Sequence, residues 1–220
     1  MYSDKRKKLN QTGFTLVEMA IVLVIVGLLI SGLLIPLGVQ RDVKDYAETR
    51  AELTEIREAL IGFALSHSAT DGNPYLPCPD TDGDGNENRA AGVCSTVSGV
   101  FPWVTLGLGQ TDNWYNQYLY RVTGVYANSN VGFTLTPSGD NTIINTVGGL
   151  NVATGIPVVI VSKGKNGNGA STDELENTDG DDTFVSKEQI DVAANAFDDV
   201  VVWVPTTIIV NRMVTAGRLP

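Results

Sequence analysis

The feature that most constrains this chain is an apolar segment near its N-terminus. Residues 19–40 contain no charged side chain, and nearly every residue from Phe14 to Val39 is apolar. At 1.5 Å per residue, residues 19–40 would form a helix of about 33 Å, long enough to cross a bilayer core of about 30 Å. The sequence therefore predicts a membrane-spanning helix at the start of the chain.

The charges on either side of this segment predict its orientation. Four basic residues occupy positions 5–8, and the first acidic residues after the segment are Asp42, Asp45 and Glu48. Because basic residues stay on the cytoplasmic side of a membrane, we expect the N-terminus in the cytoplasm and the rest of the chain outside it. The formal net charge of −10 also excludes a nucleic-acid partner, which would require a basic surface.

Two ordinary explanations of the apolar segment leave parts of it unexplained. A secretory signal has a shorter apolar core followed by a small-residue cleavage site, and residues 36–40 make a poor site of that kind. A plain single-span anchor fits the length, but it does not explain Glu18, a carboxylate that is costly within lipid.

The residues around Glu18 fit a third interpretation. The run Gly13-Phe14-Thr15-Leu16-Val17-Glu18, with a basic leader before it and a long apolar run after it, resembles the processing site of type IV pilins and type II secretion pseudopilins. The resemblance implies that a prepilin peptidase in the membrane cuts after Gly13 and N-methylates Phe14. Glu18 is then the fifth residue of the mature chain. This motif covers residues 5–40, so it indicates the assembly chemistry and not the nature of the head.

The same resemblance implies an assembly role for Glu18. In a filament its carboxylate would face the terminal amine of Phe14 on a neighbouring subunit. An ion pair among apolar helices adds little stability, but its dependence on orientation makes it a good register device. The alternative is that Glu18 only reaches to the cytoplasmic membrane surface. The implied partners are copies of this chain, other pilin-like subunits, the prepilin peptidase and an inner-membrane assembly machinery.

A helical stripe continues beyond the apolar segment. Its members follow the three- and four-residue spacing of one helix face: Tyr46, Thr49, Leu53, Ile56, Leu60 and Phe63. We expect one helix over residues 14–66, ending before the helix breakers at 70–74. The stripe is too short for a convincing coiled coil, so we expect it to pack on the chain's own head. The predicted segments are the leader 1–13, the transmembrane and assembly half of the helix 14–40, its amphipathic half 41–68 and the extracytoplasmic head 69–220.

Alternating and apolar runs in the head predict strands. Residues 117–126 and 131–136 have the alternation of a hairpin, and 156–162 and 200–204 are apolar enough for a covered sheet. A short helix is expected from Thr206. The predicted fold class is α+β, with a long N-terminal helix packed on a small antiparallel sheet, as in pilins.

The two cysteines of the chain, Cys78 and Cys94, predict a disulfide. Both are expected outside the cytoplasm, where disulfides persist, and a redox Cys-x-x-Cys pair is absent. The acidic run 80–87 between them resembles the start of a calcium loop, but its twelfth position is Ala91 instead of a closing glutamate. A partial calcium site completed by Glu87 or by distant residues remains open, as does a solvated acidic loop held by the disulfide.

Three short segments of the head resemble the major pseudopilins. They are Asp112-Asn113-Trp114 with Tyr118-Leu119-Tyr120-Arg121, then Ser162-Lys163-Gly164, and then Asp198-Asp199-Val200 with Trp203. The resemblance is incomplete, because Asn113 stands where that family has proline and Tyr115 where it has glycine. The loop 78–94 is also foreign to that family.

In that family the loop before the last strand holds calcium. Here the corresponding loop, 164–195, has six carboxylates between residues 173 and 182. The resemblance implies Ca²⁺ binding by Asp198 and Asp199, with Asp179 and Asp181 as further ligands. The alternative is a solvated acidic loop without a bound ion.

The sequence does not predict an enzyme. The glycine-rich run 162–169 lacks the spacing of a phosphate-binding loop, and His67 is the only histidine. We therefore expect a structural subunit of a type II secretion pseudopilus or a type IV pilus, held in the bacterial inner membrane with a periplasmic head before it enters the filament. The alternative function is a non-polymerising, membrane-anchored binding domain stabilised by calcium.

Overall fold

A computed structural model describes residues 13–167, 169, 171–190 and 196–219. Residues 1–12 of the predicted leader lie outside the described residues, as do the side chains of residues 32–39 in the apolar segment. The chain divides into two compact units, one ending at Lys44 and one beginning at Asp45.

One long helix dominates the N-terminal part of the chain, as predicted. Helix α1 spans Leu16–Ser66, and the apolar side chains at its start are exposed, with Phe14 at 79% and Leu16 at 87%. Within the part of the chain that the structure describes, no helix combines the length and the apolar character needed to cross a membrane.

The predicted stripe of α1 packs onto the chain's own head. Leu53 and Leu60 are fully buried, Ile56 and Phe63 nearly so, and the hydroxyl-bearing Thr49 is buried with them. Leu53, Ile56 and Leu60 belong to the main core, which they share with aromatic and branched residues of the sheet. The prediction that the stripe is covered by the head is confirmed, and a free coiled coil is excluded.

The main sheet has four antiparallel strands in the order β3-β4-β7-β9. These strands are β3 Ser98–Val100, β4 Leu119–Val122, β7 Val158–Ser162 and β9 Val200–Val204. Every residue of β7 is buried, because α1 packs on one face of the main sheet and a smaller three-stranded sheet packs on the other. The predicted strand at 200–204 is confirmed. The one at 156–162 is confirmed from Val158 onward, since Pro157 separates Ile156 into the preceding strand.

The remaining strands form two smaller sheets. They are β1 Arg89–Ala90, β2 Val93–Cys94, β5 Asn141–Ile144, β6 Asn151–Ile156 and β8 Thr183–Val185. The three-stranded sheet has the order β6-β5-β8, and its β5–β8 pair is parallel. The prediction of one antiparallel sheet is therefore too simple, although the α+β class is correct.

Short helices connect these strands and close the chain. They are α2 Trp103–Leu106, a 3₁₀ turn Gly124–Tyr126, α3 Thr172–Glu176 and α4 Thr206–Thr215. Helix α4 is the predicted terminal helix. It follows Pro205 and ends before Gly217, whose left-handed φ of +66° stops the helix.

The predicted hairpin over residues 117–136 is wrong in its second half. Residues 131–136 form no strand, because both sides of β4 are already paired, with β3 and with β7. The segment docks instead on the chain that follows α1. The Phe133 N–H donates to the Pro74 carbonyl over 2.9 Å, and the Phe133 ring packs on Tyr126 with centroids 4.9 Å apart.

Candidate functional site

A capping box holds the start of α1. The Glu18 N–H donates to the Thr15 hydroxyl oxygen over 3.3 Å, and one Glu18 carboxylate oxygen accepts from the Thr15 N–H and hydroxyl, each over 2.9 Å. Thr-x-x-Glu at the first turn is the pattern that satisfies helix N–H groups reciprocally. Within one subunit, the Glu18 carboxylate therefore already has a local partner at the positive end of its own helix.

The expected cleavage point precedes this box. Gly13 and Phe14 are exposed and lie outside the helix, which begins at Leu16. Apart from its chain neighbours, no described residue has a heavy atom within 4 Å of the position that a Gly13 Cβ would occupy. Among the described residues, nothing covers the peptide bond between Gly13 and Phe14.

In the head, three carboxylates converge where the acidic loop meets β9. Oxygens of Glu174, Asp198 and Asp199 all lie within 4.8 Å of one another. Glu174 is fully buried and Asp199 is 7% exposed, while Asp198 is partly buried. A second capping box, between Ser171 and Glu174, starts α3 and fixes Glu174 toward the other two acids.

Hydrogen bonds hold most, though not all, of these oxygens. One Glu174 oxygen accepts from the Asp198 N–H and the Asn166 amide, each over 3.0 Å. The Asn166 N–H donates to Asp198 Oδ2 over 2.8 Å, and the Asn177 amide donates to Asp199 over 2.8 Å. Asp198 Oδ1 is buried and has no hydrogen-bond partner among the described residues.

The surroundings of the cluster disfavour three negative charges. Burial raises the pKa of Asp199 to about 7, although the Asn177 amide acts in the opposite direction. Burial likewise raises the pKa of Asp198 to about 6, and the neighbouring Glu174 charge contributes to both shifts. Hard carboxylate oxygens that need a positive neighbour are the donor set that Ca²⁺ takes in proteins.

The structure brings only part of the expected calcium ligand set together. Carboxylate oxygens of Asp198 and Asp199 lie close together. Asp179 and Asp181 are exposed and accept hydrogen bonds within their own turn. The Asp181 N–H donates to Asp179 over 3.0 Å, and the Thr183 N–H donates to Asp181 over 2.7 Å. The third carboxylate beside Asp198 and Asp199 is instead that of Glu174. The signal that could have selected it is the Ser-x-x-Glu pattern of the α3 capping box.

The second acidic loop is organised mainly by its own backbone. The predicted disulfide between Cys78 and Cys94 is present, with an S–S distance of 2.04 Å. Asp80 is fully buried, and its carboxylate accepts from the N–H groups of Asp82, Gly83 and Gly85.

Of the ligands that could complete a site in that loop, Glu87 is bound elsewhere. The Glu87 carboxylate accepts from the Cys78 N–H and from Arg89, each over 2.8 Å. Glu87 therefore stabilises the disulfide loop through these hydrogen bonds and does not lie with the carboxylates of Asp80, Asp82 and Asp84.

The head segments that resemble pseudopilins lie together. Asp112 accepts from the Ser162 hydroxyl over 2.6 Å, and the Asn116 amide donates to the Gly164 carbonyl over 2.7 Å. The Tyr46 hydroxyl on α1 donates to the Asp198 carbonyl over 3.1 Å. The three segments that the sequence singled out thus form one connected region against the amphipathic half of α1.

Comparison with known protein families finds one match, which lies at the N-terminus. Residues 8–34 match the prokaryotic N-terminal methylation motif, which is the signature of type IV pilins and pseudopilins. The chain thus carries the motif of type IV pilin-like proteins, which a prepilin peptidase processes and which assemble into filaments with other pilin-like subunits. No curated protein sequence and no solved structure matched the chain.

Proposed function

We propose that this protein is a structural subunit of a pilus-like filament, cut after Gly13, N-methylated at Phe14 and polymerised through α1. The observation that carries the proposal is the methylation motif at residues 8–34. The exposed Gly13–Phe14 bond and the capped start of α1 support it. Mass spectrometry of the N-terminal peptide from the native host tests it: a chain that begins at methylated Phe14 is expected.

In this proposal the apolar segment has two uses in succession. Before assembly, residues 19–40 anchor the subunit in the inner membrane, with the N-terminus in the cytoplasm and the head in the periplasm. In the filament, the same segment packs against copies of itself and of other pilin-like subunits. A structural role of this kind requires no catalytic residues.

Pairing of the Glu18 carboxylate would favour the subunit in the filament over the subunit in the membrane. Removal of the leader creates a positive amine on Phe14, and a neighbouring subunit in the filament can offer that amine to Glu18. A carboxylate that is costly in lipid becomes paired, so incorporation is favoured over staying in the membrane. Because the pair requires one orientation, it also selects the register of the helices.

Within this class, we favour a type II secretion pseudopilus over a type IV pilus. The support is in the head, where Asp112, Ser162, Gly164 and Asp198 lie in the connected region described above. These residues belong to the segments that resemble major pseudopilins. Loss of protein secretion after deletion of the gene would favour the pseudopilus, and loss of surface fibres would favour the pilus.

We further propose that Ca²⁺ binds at Glu174, Asp198 and Asp199. The residues fit the ion, because three carboxylates converge within 4.8 Å and Asp198 Oδ1 is buried without a partner among the described residues. A divalent cation would relieve their mutual repulsion. It would also hold α3 and the acidic loop against the start of β9.

Thermal melting of the full chain in detergent tests the calcium site. At a hundredfold excess over its dissociation constant, Ca²⁺ should stabilise the fold by about 2.7 kcal/mol and raise the melting temperature by about 5–10 °C relative to EGTA. Asp199→Asn should abolish this shift. Asp181→Asn, which changes an exposed acid of the loop 164–195 outside the cluster, should keep it. Equal melting temperatures of the unmodified chain in calcium and EGTA would rule the site out.

A further inference from the structure

A groove of about 480 Å³ lies on the face of the main sheet that points away from α1. The three-stranded sheet packs on β7 and β9 of this face, and the groove lies beside it, over β3, β4 and part of β7. Its apolar lining includes Leu119, Val161 and Phe184, and the segment 177–180 borders it. The volume and the lining are those of sites that take small organic molecules.

Arg121 is the charged residue among the described residues that line this groove. It is only 9% exposed, so its guanidinium places a positive charge in largely desolvated surroundings. The Arg121 Nε–H donates to the Asn141 side-chain oxygen over 2.6 Å, and the Asn141 amide donates to the Ile156 carbonyl over 2.7 Å. The orientation of the guanidinium is therefore fixed by a buried neighbour.

The two terminal nitrogens of Arg121 keep unused donors. An arginine carries five N–H groups, and neither terminal nitrogen makes a hydrogen bond to any described residue. Nη2 lies 3.6 Å from the Asp140 carboxylate, which is 44% exposed and also accepts from the Thr123 hydroxyl. Neither terminal nitrogen is sealed from solvent, so both can be reached from the groove.

Ser98 places a second donor beside the guanidinium. In the pairing of β3 with β4, Ser98 lies directly opposite Arg121, and directly opposed side chains stand on the same face of a sheet. Ser98 also lines the groove, and its hydroxyl makes no hydrogen bond to any described residue. Two donors with free capacity thus stand at the edge of an apolar surface.

We propose that this groove binds a small monocarboxylic acid with an apolar body. Its carboxylate accepts from Arg121 and Ser98, because the planar guanidinium fork matches the two oxygens of a carboxylate. Its apolar part covers Leu119, Val161 and Phe184.

The charges around Arg121 select this class of ligand. An uncharged ligand would leave the donors of a buried guanidinium without an acceptor. A phosphate or another dianion is disfavoured, because Asp140 already places one negative charge beside Arg121. The binding involves the head of a single chain, so its test is independent of filament assembly.

Calorimetric titration of hexanoate into the full chain in lipid nanodiscs tests the proposal, with the heat of empty nanodiscs subtracted. Saturable binding is expected, and 1-hexanol, which has the same chain length without the charge, should bind at least about tenfold more weakly. Arg121→Gln should weaken hexanoate binding by a similar factor. Arg50→Gln removes an exposed arginine of α1 outside the groove and should leave the affinity unchanged.

Ser98→Ala keeps the test decisive if loss of the buried Arg121 disturbs the fold. It removes one oxygen from the groove, and it should weaken hexanoate binding about threefold without changing the melting temperature. No saturable heat up to about 10 mM hexanoate, or equal binding of hexanoate and 1-hexanol, would overturn the proposal. Undiminished binding by both groove variants would overturn it as well.

Discussion

Glu18→Gln should reduce filament formation about a hundredfold while leaving the head folded. Glutamine keeps the hydrogen-bonding shape that the capping box with Thr15 needs, so the start of α1 is preserved. Only the negative charge is lost, and with it the pairing to the amine of Phe14. The expected loss is that of removing one partner from a desolvated charge pair at an interface.

The experiment compares the fraction of the subunit that is recovered in assembled filaments, either surface fibres or periplasmic multimers fixed by crosslinking, from cells that express equal amounts of each variant. Glu55→Gln is the matched control, because it removes an exposed charge from the same helix and should not change the yield. Melting curves of both variants should overlay that of the unmodified chain. Undiminished filaments from Glu18→Gln would contradict the register role. A chain that forms no filaments in any variant would instead favour the non-polymerising, membrane-anchored binding domain.

Loss of the disulfide should have the largest effect on the stability of the head. Cys78 and Cys94 are separated by 16 positions, and the loop-entropy estimate for a loop of this length is about 3 kcal/mol. Replacing both by alanine should therefore lower the melting temperature by about 6–12 °C. Cys78 is fully buried in the main core, so part of the loss comes from packing.

A reducing agent separates the two contributions. Reduction of the unmodified chain should reproduce most of the decrease, because the thiols still fill the core but the loop is no longer closed. The Arg89 side chain should retain part of the loop structure, since it donates to the Leu76 and Gly92 carbonyls and to Glu87. A melting temperature that is unchanged by both treatments would contradict the stabilising role of the disulfide.

The N-terminal half of the fold could be predicted because its signals are local and periodic. The stripe through Leu53 and Leu60 has the spacing of a helix face, and its short length favours burial against the head over a coiled coil. Strand β9 could be predicted because five consecutive apolar residues suit a covered sheet.

The prediction of a strand at residues 131–136 is wrong because the pairing of β4 depends on distant parts of the chain. Residues 131–136 alternate like a strand, but the three residues of β3, Ser98–Val100, already occupy that side of β4. A three-residue strand that contains a glycine has no recognisable sequence signal. Which strand pairs with β4 is therefore decided by the tertiary fold.

In the acidic cluster, too, the sequence could indicate some of the residues that come together but not all of them. Asp198 and Asp199 could be selected because they directly precede an apolar strand and resemble a known element. Asp179 and Asp181 could not be distinguished by composition from Glu174, since all three lie in one acidic loop. The difference comes from backbone hydrogen bonds, which hold the aspartates in an exposed turn and the glutamate in the α3 capping box.

The most direct test of the account is mass spectrometry of the N-terminal peptide of this protein isolated from its native host. We expect a chain that begins at Phe14 and carries one additional methyl group on its amine. Deletion of the prepilin peptidase should restore the unprocessed chain that begins at Met1. An intact, unmethylated chain from cells with an active peptidase would contradict the central claim.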